Sequence, residues 1–142
     1  MLLLLDASVV VCAGLGGQES ALVLATINLG GLEGVIAENA LEEARAHLVA
    51  QESSNSLKVR WKWSDDFLEW FRSSPTLRVL PWINPDPQLL PENRKDAYLW
   101  AAIELSTPDC LLTLDKGLLA QGSYGGASIL DPHRLLVELD LD

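Results

Sequence analysis

Apolar positions along this chain fall into short runs separated by longer stretches with helical spacing. The runs at 2–5 (LLLL), 35–37 (VIA), 77–80 (LRVL), 110–114 (CLLTL) and 127–130 (ASIL) read as strands. The first is too short and too leucine-rich to show a period. Helices are expected at 7–13, closed by the glycines of 14–17, and at 18–29, stopped by Gly30 and Gly31. From 38 to 51, Leu41, Ala44 and Leu48 make an apolar helical stripe. Residues 53–56 read as a loop, and Ser64 can cap a helix over 65–72. Four prolines make 81–91 a connection. Pro91 suits the first turn of a helix reaching about Leu105, 107–109 is a turn, and Pro132 opens a last helix that packs Leu135 and Leu136. Strands alternating with helices predict an α/β protein with a mostly parallel sheet.

In such sheets functional groups collect just beyond the carboxyl ends of the strands. Two of the strand runs end there on an aspartate, Asp6 after LLLL and Asp115 after CLLTL. The helix from Pro91 carries Asp96, with Trp100 and Ile103 on the same face. Glu42 and Glu43 sit early in the helix that begins at residue 38, where one of them can face the same edge. Each of these acids also has a purely structural use. Asp6 and Asp115 can cap the helices that follow them, Asp96 can complement a helix dipole, and the glutamate pair can be a solvated face. Their convergence on one edge is what favours a site.

Composition narrows the choice. At 142 residues, 49% hydrophobic and 21% charged, the chain reads as one soluble domain over 1–142. LLLL lacks a basic start and stops at Asp6, so it reads as a strand and not as a leader, which points to the cytoplasm. No apolar run has the length of a membrane span. A net charge of −10 argues against a general nucleic-acid coat but not against an enzyme that holds nucleic acid through metal ions. Cys12 and Cys110 have no metal or disulfide spacing and read as buried thiols; His47 and His133 read as structural or surface residues. In KVRWKW, Lys58, Arg60 and Lys62 alternate with Val59, Trp61 and Trp63, a pattern that suits a basic strand with stacking tryptophans or an edge whose tryptophans pack on the core.

The segments LLLLDASVVV, ENALEEARAHL, NRKDAYLWAAIELSTPDCLLTLDKGLL and ILDPHRLL, in that order, resemble the PIN-domain family of metal-dependent ribonucleases. The resemblance covers nearly the whole chain. It implies a three-layer α/β/α sandwich and a cluster of acids formed by Asp6, Glu43 (or, in the other register, Glu42), Asp96 and Asp115. Asp6, Asp96 and Asp115 would ligate Mg²⁺ or Mn²⁺, which prefer oxygen donors. Ser8 and Thr113 match family positions where a hydroxyl can hold a metal-bound water or a phosphate of the substrate, and Arg94, Lys95 and Lys116 adjoin the acids where they can touch RNA phosphates. Two departures stand out: Leu114 lies between Thr113 and Asp115, and Gly117 stands where many members carry a further acid. The resemblance also implies a homodimer and an antitoxin-like protein partner. The alternative reading is a non-catalytic module that binds RNA or protein. An aspartate-nucleophile phosphatase is a poorer match, because it would want an aspartate where Ser8 stands.

Overall fold

The computed structural model describes residues 1–54, 63–84 and 97–140. Leu2–Leu5 (β1) lies inside a six-stranded sheet with Glu33–Ala37 (β2), Leu77–Leu80 (β3), Cys110–Leu112 (β4), Ser123–Tyr124 (β5) and Ala127–Leu130 (β6). The order is β3-β2-β1-β4-β6-β5; every pairing is parallel except the short antiparallel β5–β6 ribbon. Leu3, Leu4 and Leu5 are all buried. Because successive strand residues point to opposite faces, both faces of β1 must be covered, which is the condition for a sandwich.

The helices are Ala7–Gly14 (α1), Gln18–Asn28 (α2), Glu38–Ser54 (α3), Trp63–Arg72 (α4), Ala97–Ser106 (α5), Lys116–Gln121 (α6) and Pro132–Glu138 (α7). α1 packs on α2 and α3, α2 on α7, and α3 on α4, while α5 lies against β1. The result is a three-layer α/β/α sandwich, as the alternation of elements predicts. The stripe Leu41, Ala44 and Leu48 is buried, as are Leu135 and Leu136. Among the described residues no single helix is long and apolar enough to cross a membrane.

Local chemistry accounts for the ends of several elements. Asp131 caps α7 by accepting from the Arg134 amide at 2.7 Å, with Pro132 in the first turn. Asp131→Ala should lower stability by about 1 kcal/mol, whereas Asp131→Asn should hold it. Urea unfolding midpoints check both; equal midpoints for the alanine and wild-type proteins would remove the cap from the account.

Four local expectations are corrected. Residues 53 and 54 are the last turn of α3 and not a loop; Ser54 Oγ donates to the Gln51 carbonyl at 3.0 Å. Residues 55 and 56 fall outside the described part. Ser64 does not cap α4, which starts one residue earlier. Its amide and hydroxyl both donate to Glu52 Oε2, at 3.0 and 2.7 Å, and so join the end of α3 to the start of α4. β4 ends at Leu112, two residues short of the expected strand: the Thr113 amide still reaches the Leu130 carbonyl, but the Leu114 amide leaves the ladder for Ser8 Oγ. Cys12 is half-buried rather than buried; Cys110 is buried as expected. Burial, reinforced by Asp109 and Glu138, pushes the Cys110 thiol above its ordinary pKa, so it stays protonated and inert. The two-residue β5 carries no signal in the apolar pattern.

Candidate active-site cleft

From β1 the chain crosses to β2 on one side, while β4 flanks β1 on the other. The carboxyl ends of β1 and β4 therefore bracket the topological switch point, where open α/β sheets present ligand crevices. Leu5 pairs with Leu112, so the next residues of the two strands, Asp6 and Thr113, face each other across the gap. The Asp6 amide continues the ladder to the Leu112 carbonyl at 3.0 Å, and Thr113 N does the same to Leu130 at 3.0 Å. Both side chains are buried, Asp6 at 7% exposure and Thr113 at 0%.

A buried carboxylate needs hydrogen bonds, and Asp6 receives them from hydroxyls. Thr113 Oγ1 donates to Asp6 Oδ2 at 2.7 Å and Ser8 Oγ donates to the same oxygen at 2.8 Å. Each hydroxyl is in turn fed by a backbone amide. Asp115 N donates to Thr113 Oγ1 at 3.0 Å, and Leu114 N donates to Ser8 Oγ at 3.0 Å. Two hydroxyls thus converge on one carboxylate oxygen, each fed by an amide and each with its single proton committed, so neither has a proton left for the phosphate or water expected of it from the sequence. Asp6 stands at the N-cap position of α1 but makes no side-chain cap. Its other oxygen, Oδ1, takes no hydrogen bond among the described residues. Asp115 does the reverse: it caps α6, with Oδ1 accepting from the Leu118 amide at 3.1 Å. A side chain at Gly117 would put its Cβ 3.1 Å from that same oxygen, so the glycine leaves Asp115 its capping position.

Asp6, Ser8 and Asp115 open onto a cleft of about 770 Å³ whose far wall is α3, through Glu43 and His47. Gly16 and Gly17, in the corner between α1 and α2, also line the cleft. Gly17 is packed so closely on Cys12 that a Cβ there would lie 2.3 Å from the sulfur. Leu15 and Leu114, both substantially exposed, form an apolar rim.

Of the residues expected at the site, Asp6, Ser8, Glu43 and Asp115 line one cleft, and Thr113 holds it from beneath. Of the two glutamates, Glu43 is the one that lines this cleft. Glu42 turns instead into a groove between α3 and α4, where Arg45 pairs with Asp65 at 3.2 Å and Arg72 with Glu38. Lys116 opens α6 as an exposed residue and does not line the cleft. Arg94, Lys95, Asp96 and residues 58–62 of KVRWKW lie outside the described residues. Among the described residues no three His, Cys, Asp or Glu side chains stand close enough to enclose an ion by themselves. The donor set is nonetheless all oxygen, and Mg²⁺ binds typically through one or two carboxylates with the rest of its shell water. The open Oδ1 of Asp6, with Asp115 and Glu43 on the same cleft, fits that mode of binding.

Two lining residues escaped the reading of the sequence. His47, taken there for a structural or surface residue, lines the cleft about one helical turn along α3 from Glu43, so i, i+4 spacing from the glutamate was the available signal. Cys12 reaches the cleft because the α1–α2 corner folds back on it, which no spacing reveals.

No family model and no curated protein matches the chain. A crystal structure of PAE2754 from Pyrobaculum aerophilum is similar over 100% of this chain and 91% of that one, with a TM-score of 0.66 and 23% identity. That likeness concerns the fold.

Proposed function

We propose that the protein is a metal-dependent endoribonuclease related to the PIN-domain family. The observation that carries this reading is Asp6: a buried carboxylate at the switch point, one oxygen clamped by Ser8 and Thr113, the other open to a cleft that Asp115 and Glu43 share. Asp6 and Asp115, with Asp96 on the resemblance, hold Mg²⁺ or Mn²⁺, and Glu43 completes the acid cluster. The bound ion supplies Lewis-acid polarisation of a phosphodiester and a water made more acidic. Thr113 and Ser8 fix the rotamer of Asp6 and deny it a turn into the α1 cap. The Leu15–Leu114 rim sets the width of the entrance. Arg94, Lys95 and Lys116 serve, on the resemblance, as phosphate contacts. On this reading the chain works in the cytoplasm as a homodimer, and an antitoxin-like partner covers the acidic cleft.

One observation favours the alternative of a non-catalytic RNA- or protein-binding module: Asp115 is exposed and already commits Oδ1 to the α6 cap. The two readings separate in a direct assay. Purified protein incubated with single-stranded and structured RNA should cut in Mn²⁺ or Mg²⁺ and not in EDTA. Cleavage that persists in EDTA contradicts the metal mechanism, and binding without cleavage under every condition replaces the enzyme with the module. Metal should also protect the fold, since a ligand present at a hundred times its Kd stabilises by about 2.7 kcal/mol. A melting temperature that rises with Mn²⁺ is expected; one indifferent to millimolar Mn²⁺ would count against any resident ion.

A further inference from the structure

A second cavity, of about 560 Å³, adjoins the cleft and shares Cys12, Gly17 and Leu114 with it. One wall is the first turn of α2. Gly17 at its N-cap has no side chain to offer, and the amides of Gln18, Glu19 and Ser20 meet no acceptor among the described residues. Ser20 is only 2% exposed, yet it lines this cavity and its hydroxyl makes no hydrogen bond among the described residues. The hydroxyl is not sealed off from solvent, so on a residue this buried it keeps a proton available to a partner at the cavity. The other wall carries Asp131 and His133. Asp131 gives Oδ1 to the α7 cap, while Oδ2 takes no hydrogen bond among the described residues. The Glu19 carboxylate lines the cavity as well, with Oε2 against His133 Nδ1.

Donors on one wall and carboxylates beside them suit a neutral edge that both accepts and donates. A phosphate would use the amides and the hydroxyl but would meet the Asp131 carboxylate and a Glu19 carboxylate offset only by its contact with His133. A nucleobase edge uses both sets. Single-stranded RNA is read in this way, through hydrogen bonds to the Watson–Crick edges of unstacked bases. Guanine offers one acceptor, O6, next to two donor groups, N1–H and the N2 amine. Adenine and cytosine offer a single donor group beside a bare ring nitrogen, and uracil one N–H between two carbonyls. Each of those three would leave a carboxylate facing a lone pair.

We propose that this cavity is a base-reading subsite for guanine, filled by a nucleotide of the strand that occupies the neighbouring cleft. As a substrate-specificity site it rests on the ribonuclease reading given above. O6 accepts from the first-turn amides of α2 and from Ser20 Oγ, while N1–H and the N2 amine donate to Asp131 and Glu19. The cavity and the cleft share three lining residues, so one strand can cross both.

Guanine recognition is measured without cleavage, by following backbone amides of the wild-type protein in EDTA while 5′-GMP, AMP, CMP, UMP or IMP is added. GMP should shift the Gln18, Glu19 and Ser20 amides and bind roughly tenfold or more tighter than AMP, CMP or UMP. IMP, which lacks the N2 amine, should fall between. Ser20→Ala should weaken GMP binding. Asp131→Asn, which keeps the α7 cap, should lose the preference for guanine. Equal affinities for GMP and AMP, shifts confined to other parts of the chain, or a preference that survives Asp131→Asn would overturn the proposal. Its failure is distinct from failure of the nuclease reading. GMP selection in a protein that never cuts RNA leaves the guanine subsite and removes the enzyme, while cleavage without base selection removes the subsite alone.

Discussion

Asp6→Asn should reduce metal-dependent RNA cleavage by about a thousandfold or more while leaving the protein folded. Losing a ligand to the reacting centre removes several kcal/mol of transition-state stabilisation, and each 1.36 kcal/mol is a factor of ten. The amide is nearly the shape of the carboxylate, so packing at the end of β1 is preserved. Its chemistry is not. Oδ2 of Asp6 accepts two hydroxyl protons, from Ser8 and Thr113. The asparagine oxygen can accept the same two, but that turns its NH₂ to the place where Oδ1 faces the cleft, and an NH₂ group offers no lone pair to a cation. The loss should therefore appear as weakened metal binding together with lost turnover. Rates measured across a Mn²⁺ titration check this; a variant that recovers the wild-type rate at moderate Mn²⁺ would reduce Asp6 to one of several replaceable ligands.

Thr113→Val should be costly in a different way. Thr113 is fully buried, and its hydroxyl both donates to Asp6 and accepts from the Asp115 amide at 3.0 Å. Valine keeps the shape and removes both bonds, leaving a partly buried amide without its acceptor and a buried carboxylate with one donor fewer. A loss of about 1–3 kcal/mol in unfolding free energy is expected. Metal affinity should fall about 10- to 100-fold, as when an outer partner of a ligating carboxylate is removed. Thr113→Ser restores the hydroxyl and should recover most of both. Ser8 shares the same oxygen of Asp6, so the Ser8→Ala and Thr113→Val effects should not add; coupling of about 0.5 kcal/mol or more is expected in a double-mutant cycle. Wild-type stability and metal affinity in Thr113→Val would show that the hydroxyl clamp is incidental.

These expectations depend on contacts of unequal legibility. The strands were readable because apolar runs such as LLL at 3–5 and CLL at 110–112 are satisfied by burial between two layers. That Asp6 and Asp115 follow strands was readable too. What each does there was not, since an aspartate after a strand can cap the next helix. Asp115 does cap α6, and Asp6 does not cap α1. The difference arises from Thr113, which lies 107 positions away in sequence and meets Asp6 because β1 and β4 pair in register. Strand order is a property of the whole sheet and leaves no local trace. Which glutamate lines the cleft was likewise hidden, since it depends on how α3 is turned, with Glu43 on the cleft and Glu42 toward α4. The corner at Gly16 and Gly17 read only as a turn, although its close packing on Cys12 is what exposes the α2 amides to the second cavity.

The central claim is that a divalent cation resides at the carboxyl ends of β1 and β4. Mn²⁺ is paramagnetic and broadens the signals of nearby amides, so substoichiometric Mn²⁺ added to the labelled protein locates the ion. Broadening centred on Ser8, Leu114 and Asp115, extending to Glu43, and abolished in Asp6→Asn is the expected result. Broadening centred instead on the acidic groove of Glu38, Glu42 and Asp65, or unchanged by Asp6→Asn, would contradict the account.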